Sequence, residues 1–293
     1  MSTLDELAAG IEDFATIPEV VTRVIRELER PDECNLEEVA ELITLDPVLA
    51  ARITQVSRSA LFGGGAADES LEAAIMRIGL KRTYNIVTTV GVLNAVPSLP
   101  EPLSLVSFWT LGLGSALTAE QLAFDLGYQD PKEAYLAGLV HLLGEAYLAV
   151  QFTPRYRRAI QTAREKGQSY DQGLLNEFEV THTELCTRLL YHWNFPASVI
   201  RAVQYCADPE LAEEDHMLPS IIFAADGICR DLLIADSGPD HVKGTWVVEL
   251  PDDFIERIEG IGHSDISCYL TDRPLFLCEV EDFVKATFQV AAR

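Results

Sequence analysis

The sequence predicts an all-α protein, a multi-helix bundle packed with an N-terminal helical subdomain. Its 293 residues are 48% hydrophobic with a mean hydropathy of +0.11, which is enough apolar material for a large core. Apolar residues recur at helical spacing through most of the chain. Helix start and stop signals punctuate this pattern, among them Asn35 three residues before Glu38, Asp130-Pro131 and Gly79.

The first five main segments form the predicted N-terminal subdomain, residues 1–96. The predicted helices are Pro18 to Leu28, Leu36 to about Leu45, Pro47 to near Gly63, Ser70 to Ile78, and Lys81 to Ala95. The segment from Val96 to Pro102 contains three prolines and is the clearest interruption in the chain. It marks the predicted boundary between the subdomain and the bundle.

The predicted bundle covers residues 103–235. Its helices are Leu103 to Leu126, Asp130 to Phe152, Thr153 to Lys166, Asp171 to Val180, Thr181 to Trp193, Pro196 to Tyr205, and Met217 to Leu233. Residues 236–293 are predicted as a mostly helical C-terminal extension, with helices at Pro251 to Ile258 and Glu281 to Ala291. Thr245 to Leu250 could be a short strand or a buried loop.

Charge excludes one broad class of function. Lys and Arg number 22 against 46 Asp and Glu, a formal charge of −24, so a phosphate backbone would be repelled and general nucleic-acid binding is not expected. One predicted helix is basic, and a solvated helix face is favoured over a docking site for an acidic partner. Its cationic residues are Arg155, Arg157, Arg158, Arg164 and Lys166.

Cysteine spacing and hydropathy predict a compartment. The six cysteines include no C-x-x-C pair, the N-terminus lacks a basic region followed by an apolar one, and no apolar run approaches ~18 residues. We therefore expect a cytoplasmic protein with reduced thiols and no membrane partner.

Three motifs carry a resemblance. They are Asp46-Pro47-x-Leu-x-x-Arg52, then Ser70-x-x-x-Ala-Ile75-x-x-Ile-Gly79, and Ala137-Gly138-Leu-x-His141-x-x-Gly144. Over roughly residues 14–235 the chain resembles the HDOD domain family. The resemblance implies an HD-like helical fold related to metal-dependent HD phosphohydrolases, usually in bacterial signalling proteins and generally without hydrolytic activity.

The resemblance also identifies a former metal site. Its His-Asp pair becomes His141-Leu142, its first His becomes Leu111, and a His-His pair becomes Cys206-Ala207. Two further ligand positions are retained as His182 and Asp226. Leucine offers a metal no lone pair. The implied pocket is therefore a vestigial one, and its members are His141, His182, Asp226, Leu111, Leu142 and Cys206.

Two alternatives follow for this pocket. His141, His182 and Asp226, with Cys206 as a soft fourth ligand, could bind zinc. The favoured interpretation is that they are hydrogen-bonded to one another in a polar pocket without metal or cofactor. We thus expect a non-catalytic signal-transduction or scaffold protein that binds a protein partner, or a small acidic ligand or nucleotide. The alternative is a metal-dependent phosphohydrolase or phosphodiesterase with a remodelled site. Oligomeric state and partner identity stay open.

Overall fold

The structure of the protein is a computed structural model. It describes residues 3–14, 17–28, 35–57, 70–96, 98–212, 215–232, 245–263 and 265–271, with Arg273, Phe276 and Cys278. All regular secondary structure in these residues is α-helix or 3-10 helix, so the all-α prediction is confirmed. Among the described helices none alone is long and apolar enough to cross a membrane; one pair, Pro131–Gln151 with Thr153–Lys166, bent by 114°, meets the length and composition criteria only as a pair.

The helices follow the predicted order closely. They are α1 (Thr3–Ala8), α2 (Glu19–Leu28), α3 (Leu36–Thr44), α4 (Pro47–Ser57), α5 (Leu71–Ile78), α6 (Leu80–Ala95), α7 (Leu105–Asp125), α8 (Pro131–Val140), α9 (Leu143–Gln151), α10 (Thr153–Lys166), α11 (Tyr170–Phe178), α12 (His182–His192), α13 (Ala197–Tyr205), α14 (Met217–Asp231) and α15 (Asp252–Gly260).

The chain divides into two compact units. A smaller unit spans Ala15–Pro97 with Cys278–Arg293, and a larger one combines Met1–Phe14 with Ser98–Leu277. In the smaller unit the predicted caps form: the Asn35 side chain accepts from the amide of Glu37, and Ser70 accepts from that of Ala73. Its core is aliphatic, and the fully buried side chains include Val21, Val24, Ile43, Leu49, Ile53, Ile75 and Val87.

The first helix belongs to the larger unit, which differs from its predicted place in a 1–96 subdomain. The Tyr147 hydroxyl donates to the carbonyl of Leu7 over 2.6 Å, and Phe14 meets the Tyr147 ring edge-on at 5.2 Å. These contacts fix α1 and its following turn to the bundle. The prediction placed α1 with the N-terminal subdomain because the two are adjacent in the sequence. Only the tertiary contacts show that α1 packs with the larger unit.

The prediction of one continuous helix from Asp130 to Phe152 is wrong. It divides into α8 and α9, with His141 and Leu142 in a turn between them. No Gly or Pro stands at the break, so the sequence carries no signal for it. The break places the former metal pair at the junction of two helices.

Two glycines of the same motif are required by close helix packing. A Cβ on Gly138 would lie 2.8 Å from the Ala116 Cα, so α8 approaches the backbone of α7 there. A Cβ on Gly144 would overlap the carbonyl oxygen of His182, where α9 meets the start of α12. Any larger residue would push these helices apart, since close-packed interiors leave no slack.

The C-terminal extension covers α14. Thr245–Glu249 is a 3-10 helix, neither the strand nor the loop that the sequence left open. Its Trp246 ring lies against Gly227, and the indole donates to the Asp231 carboxylate over 2.9 Å. The predicted helix from Pro251 is present as α15, while the one at Glu281 to Ala291 lies outside the described residues.

The basic helix α10 is held by intramolecular contacts. Arg155 and Arg158 both bind the Glu177 carboxylate, at 3.3 and 2.7 Å, which fastens α10 to α11. Arg157 donates to the carbonyl of Glu101 and Arg164 to the Tyr170 hydroxyl. These four arginines therefore contact neighbouring residues of the larger unit, which the prediction of a solvated helix face did not include.

We expect Gly144→Ala to lower the free energy of unfolding by about 1–3 kcal/mol or more. The added methyl group would overlap the backbone of α12, and neither α9 nor α12 can move away locally. Gly260→Ala is the matched control: a Cβ there meets nothing within 4 Å, so the effect should stay within about 0.5 kcal/mol. Urea unfolding of both variants measures this. Equal stabilities of the two variants would contradict the packing argument.

Candidate functional site

A cavity of about 210 Å³ lies inside the larger unit, and two of the six predicted pocket residues line it. Leu111 from α7 and Leu142 from the α8–α9 turn form part of its apolar wall. The polar wall comes from residues that the sequence did not single out as site residues: Ser104, Ser107, Glu145, Tyr156, Arg164, Ser169, Tyr170, Asp171 and Arg230.

His141 and Asp226 are brought together, as the sequence predicts. The His141 Nε2 lies 3.2 Å from the Asp226 Oδ1, and its Nδ1 lies 2.8 Å from the carbonyl oxygen of Gly138. The ring is 3% exposed, so both contacts are shielded from water. Both contacts of the ring are thus with oxygen atoms.

The second oxygen of Asp226 binds an arginine. Arg230 stands one turn further along α14, and its Nε lies 2.6 Å from the Asp226 Oδ2, with both side chains 21% exposed. Burial would raise the pKa of Asp226, but the charge of Arg230 and the hydrogen bond and charge of His141 outweigh it and hold the pKa well below its usual value.

His182 bonds to a different carboxylate from the one expected. The capping box of Thr181 and Glu184 starts α12 and makes His182 its first residue. Its Nε2 lies 3.2 Å from the Oδ1 of Asp171, in the first turn of α11. The Nδ1 of this buried ring has no hydrogen-bond partner among the described residues.

The pKa values of this pair move in opposite directions. Desolvation would raise the pKa of Asp171, but the charge and hydrogen bond of His182 outweigh it and lower the pKa to about 2. Burial would lower the pKa of His182, and the Asp171 charge reverses this and raises it. Both shifts favour the ionised pair.

Glu145 adds a third carboxyl group beside the cavity. It lies on α9, four residues after His141, and its Oε1 accepts a 2.6 Å hydrogen bond from the Tyr156 hydroxyl. Burial raises the pKa of Glu145 despite this bond. Glu145 and Asp171 thus bring acidic groups, and Arg164 and Arg230 basic ones, to the same wall.

Cys206 remains apart from these contacts. Its thiol donates to the carbonyl oxygen of Val203 in the preceding turn over 3.2 Å. Burial raises the pKa of this thiol well above its usual value, and the nearby Cys186 and Asp226 add to the rise. A buried thiol with a raised pKa is a poor thiolate ligand.

These contacts do not fit a divalent metal ion. Within the part of the chain that the structure describes, no group of three His, Cys, Asp or Glu side chains is placed to hold one. The positions of two implied ligands are apolar, both nitrogens of His141 face oxygen acceptors, and a guanidinium occupies one side of Asp226. A metal needs convergent lone pairs, and here they are absent or engaged.

Sequence reasoning missed Glu145, Tyr156, Asp171 and Arg230. Asp171 looks like an ordinary acidic residue in a helix first turn, and Arg230 like a basic one in a last turn. The one available signal was the spacing of Asp226 and Arg230, four residues apart on one predicted helix face.

We expect Asp226→Ala to lower the free energy of unfolding by about 1–3 kcal/mol, since it removes the acceptor of the short Arg230 contact and one of the two oxygen neighbours of His141. Asp253→Ala is the control, because its pair with His216 is largely exposed and should cost less than about 1 kcal/mol. Chemical denaturation compares the two. Equal losses would mean that the Asp226 contacts contribute nothing beyond a surface pair.

The Asp171–His182 pair should make stability depend on pH. Because the pKa of Asp171 is lowered on folding, this group adds to the free energy of unfolding at pH values above its unfolded pKa of 3.8. That stabilisation is lost as the pH falls through about 2. Because the pKa of His182 is raised on folding, this group stabilises the protein at pH values below its unfolded pKa of 6.5. That stabilisation is lost as the pH rises through the higher folded pKa.

The difference in melting temperature between wild type and Asp171→Asn should therefore be greatest between these limits and shrink in alkaline solution. Asp171 is 66% exposed, so solvent screening keeps the difference small. Thermal unfolding across pH measures it, and a difference that does not change with pH would contradict an ionised pair.

Comparison with known proteins comes first from a family model. The model of the HDOD domain matches residues 14–209. A curated relative from Treponema pallidum (strain Nichols), named only as an uncharacterized protein, is 25% identical over 231 residues. The match covers 74% of this chain and 42% of that protein, so the chain spans less than half of the relative's length.

Solved structures share the fold. An HDOD domain protein of unknown function from Geobacter sulfurreducens superimposes with a TM-score of 0.82 at 22% identity, over 98% of this chain and 97% of that one. A "Putative phosphohydrolase" from Shewanella amazonensis SB2B gives a TM-score of 0.73 at 20% identity, over 98% of each chain.

A third structure, a "Putative signal transduction protein" from Marinobacter aquaeolei VT8, also gives a TM-score of 0.73, at 16% identity over 96% of this chain and 60% of that one. At these identities the likeness concerns the fold alone. The family model covers two thirds of the sequence, and its motifs stand in the helices described above. The chain therefore belongs to the HDOD domain family.

Proposed function

We propose that the chain is a non-catalytic, cytoplasmic signal-transduction or scaffold protein. Its HDOD domain would bind a protein partner, or a small acidic ligand or nucleotide in the cavity. The observation that carries this proposal is the wall of the cavity, where Leu111 and Leu142 stand at implied ligand positions. Hydrolysis of a phosphodiester in this fold needs a metal to activate water and polarise the phosphoryl oxygen.

Two further features support the proposal. The formal charge of −24 disfavours a nucleic-acid partner. The five described cysteines are all free, which agrees with a reducing compartment.

The cavity has the features of a small-ligand site. Its lining combines the apolar residues Leu111, Leu142 and Phe108 with two cationic side chains, Arg164 and Arg230, and two carboxyl groups, Glu145 and Asp171. The N-termini of α7 and α11 also reach it through their capping residues Ser104 and Ser169, and helix N-termini favour acidic groups. At about 210 Å³ it is smaller than typical pockets of roughly 300–1,000 Å³, so it would enclose a small acid or one part of a nucleotide.

We expect no phosphodiesterase activity on cyclic dinucleotides or nucleotides, with manganese, iron or zinc added, because the first coordination shell is incomplete. A steady-state assay of the purified protein measures this. Turnover that His141→Ala abolishes would overturn the proposal and establish the alternative, a metal-dependent phosphohydrolase with a remodelled site.

Ligand binding by the cavity can be tested with phenyl phosphate as a probe and phenol as its uncharged counterpart. Calorimetry should detect the phosphate and not the phenol, and Arg164→Glu should weaken binding at least about tenfold by placing a like charge at the site. Lys166→Glu is the control, because Lys166 is an exposed cation of the same helix outside the cavity. Unchanged affinity in Arg164→Glu, or no binding of phenyl phosphate, would contradict the small-ligand half of the proposal.

A further inference from the structure

Asp226 is a poorly exposed carboxylate that needs a compensating positive charge or several hydrogen bonds. Its carboxylate is only 21% exposed, and it lies where the family resemblance places a metal ligand. Glu145 lines the neighbouring cavity, and so does Asp171, although the Asp171 side chain is 66% exposed to solvent. Carboxylates removed from water need a positive charge or several hydrogen bonds, since otherwise they protonate or destabilise the fold.

We propose that Arg230 is the resident cation of this pocket, so that its guanidinium takes the charge role that a metal ion has in the HD hydrolases. This inference rests on the proposed non-catalytic function. It goes further because it names the group that replaces the metal and explains how the acidic residues of the pocket remain compatible with the fold.

The geometry at Asp226 is the first support. Asp226 and Arg230 stand four residues apart on α14, so the helix itself presents both side chains on one face. The 2.6 Å separation of Nε and Oδ2 is that of a short, charge-assisted hydrogen bond. The other oxygen, Oδ1, faces the His141 Nε2 at 3.2 Å. Each oxygen of the carboxylate therefore already has a cationic or hydrogen-bonding neighbour.

The reach of the Arg230 charge is the second support. Arg230 lines the cavity together with Glu145 and Asp171, which come from α9 and α11. The guanidinium from α14 therefore lies at the same cavity as carboxyl groups from two other helices, while its short contact is with Asp226.

The chemistry of arginine suits this role. Guanidinium keeps its proton under all protein conditions, and its planar set of N–H donors can serve more than one carboxylate. A divalent ion approaching Asp226 would meet a fixed positive charge at short range and would lack donors at Leu111 and Leu142. Because the cation is part of the chain, the pocket is complete at all metal concentrations and insensitive to chelators.

Four variants test the proposal by thermal unfolding in the presence of a chelator. Arg230→Gln removes the charge, Arg230→Lys keeps it, Asp226→Asn removes its main partner, and Asp226→Asn/Arg230→Gln removes both. Arg158→Gln is the control, an arginine that pairs with Glu177 at the surface of α10.

We expect Arg230→Gln to lower the melting temperature by about 5 °C or more, and Arg230→Lys to lower it by less. The double variant should lose less than the sum of the two single losses, because neither charge is then left without its partner. A merely structural role for the Arg230 side chain would give additive losses and no advantage for lysine. Either of those results, or an Arg230→Gln protein as stable as the control, would overturn the proposal.

Insolubility of Arg230→Gln would not remove the test. The comparison then uses Asp226→Asn alone and the double variant, and the double variant should be at least as stable as the single one. A less stable double variant would contradict the proposal.

Metal analysis of the wild-type protein completes the experiment. Elemental analysis should find no stoichiometric metal, and millimolar manganese or zinc should not raise the wild-type melting temperature. One bound metal ion per chain would overturn the resident-cation proposal even if no substrate is turned over. Additive losses without bound metal or turnover would overturn it alone and leave the non-catalytic function standing, whereas metal-dependent turnover would overturn both.

Discussion

The close approach of helix backbones at Gly138 and Gly144 is the constraint on which the bundle of the larger unit depends. One glycine lets α8 lie against α7, and the other lets α9 lie against the first turn of α12. Between them the chain leaves the helical path at His141 and Leu142. The motif thus controls packing first, and the position of the former metal pair follows from it.

That packing also decides which polar groups meet. The break directs His141 towards α14 and Leu142 towards the cavity, while Gly144 allows α12 to bring in His182. Once the helices have these positions, buried charged groups are stabilised by partners that lie nearby. Asp226 finds His141 and Arg230, and His182 finds Asp171.

The consequence is that His141, His182 and Asp226, which the family resemblance places at a metal site, form ion pairs and hydrogen bonds with neighbouring side chains. In a metal enzyme one ion collects ligands from several helices and keeps a coordination position open. Here the contacts are pairwise and use neighbouring side chains, and apolar residues close the remaining directions. Beside these contacts lies the cavity, on which the proposed binding function rests.

Sequence alone determined the helical class and most helix limits, and its motifs carried the resemblance that placed His141 and Asp226 in one pocket. It could do so because caps, helical periodicity and motif spacing are local properties that the residues themselves carry. The tertiary structure decided the break at His141, the place of α1, and the roles of Glu145, Asp171 and Arg230. Those outcomes depend on which backbones approach closely and which charges are left to be compensated, and both are set by contacts between residues far apart in the chain.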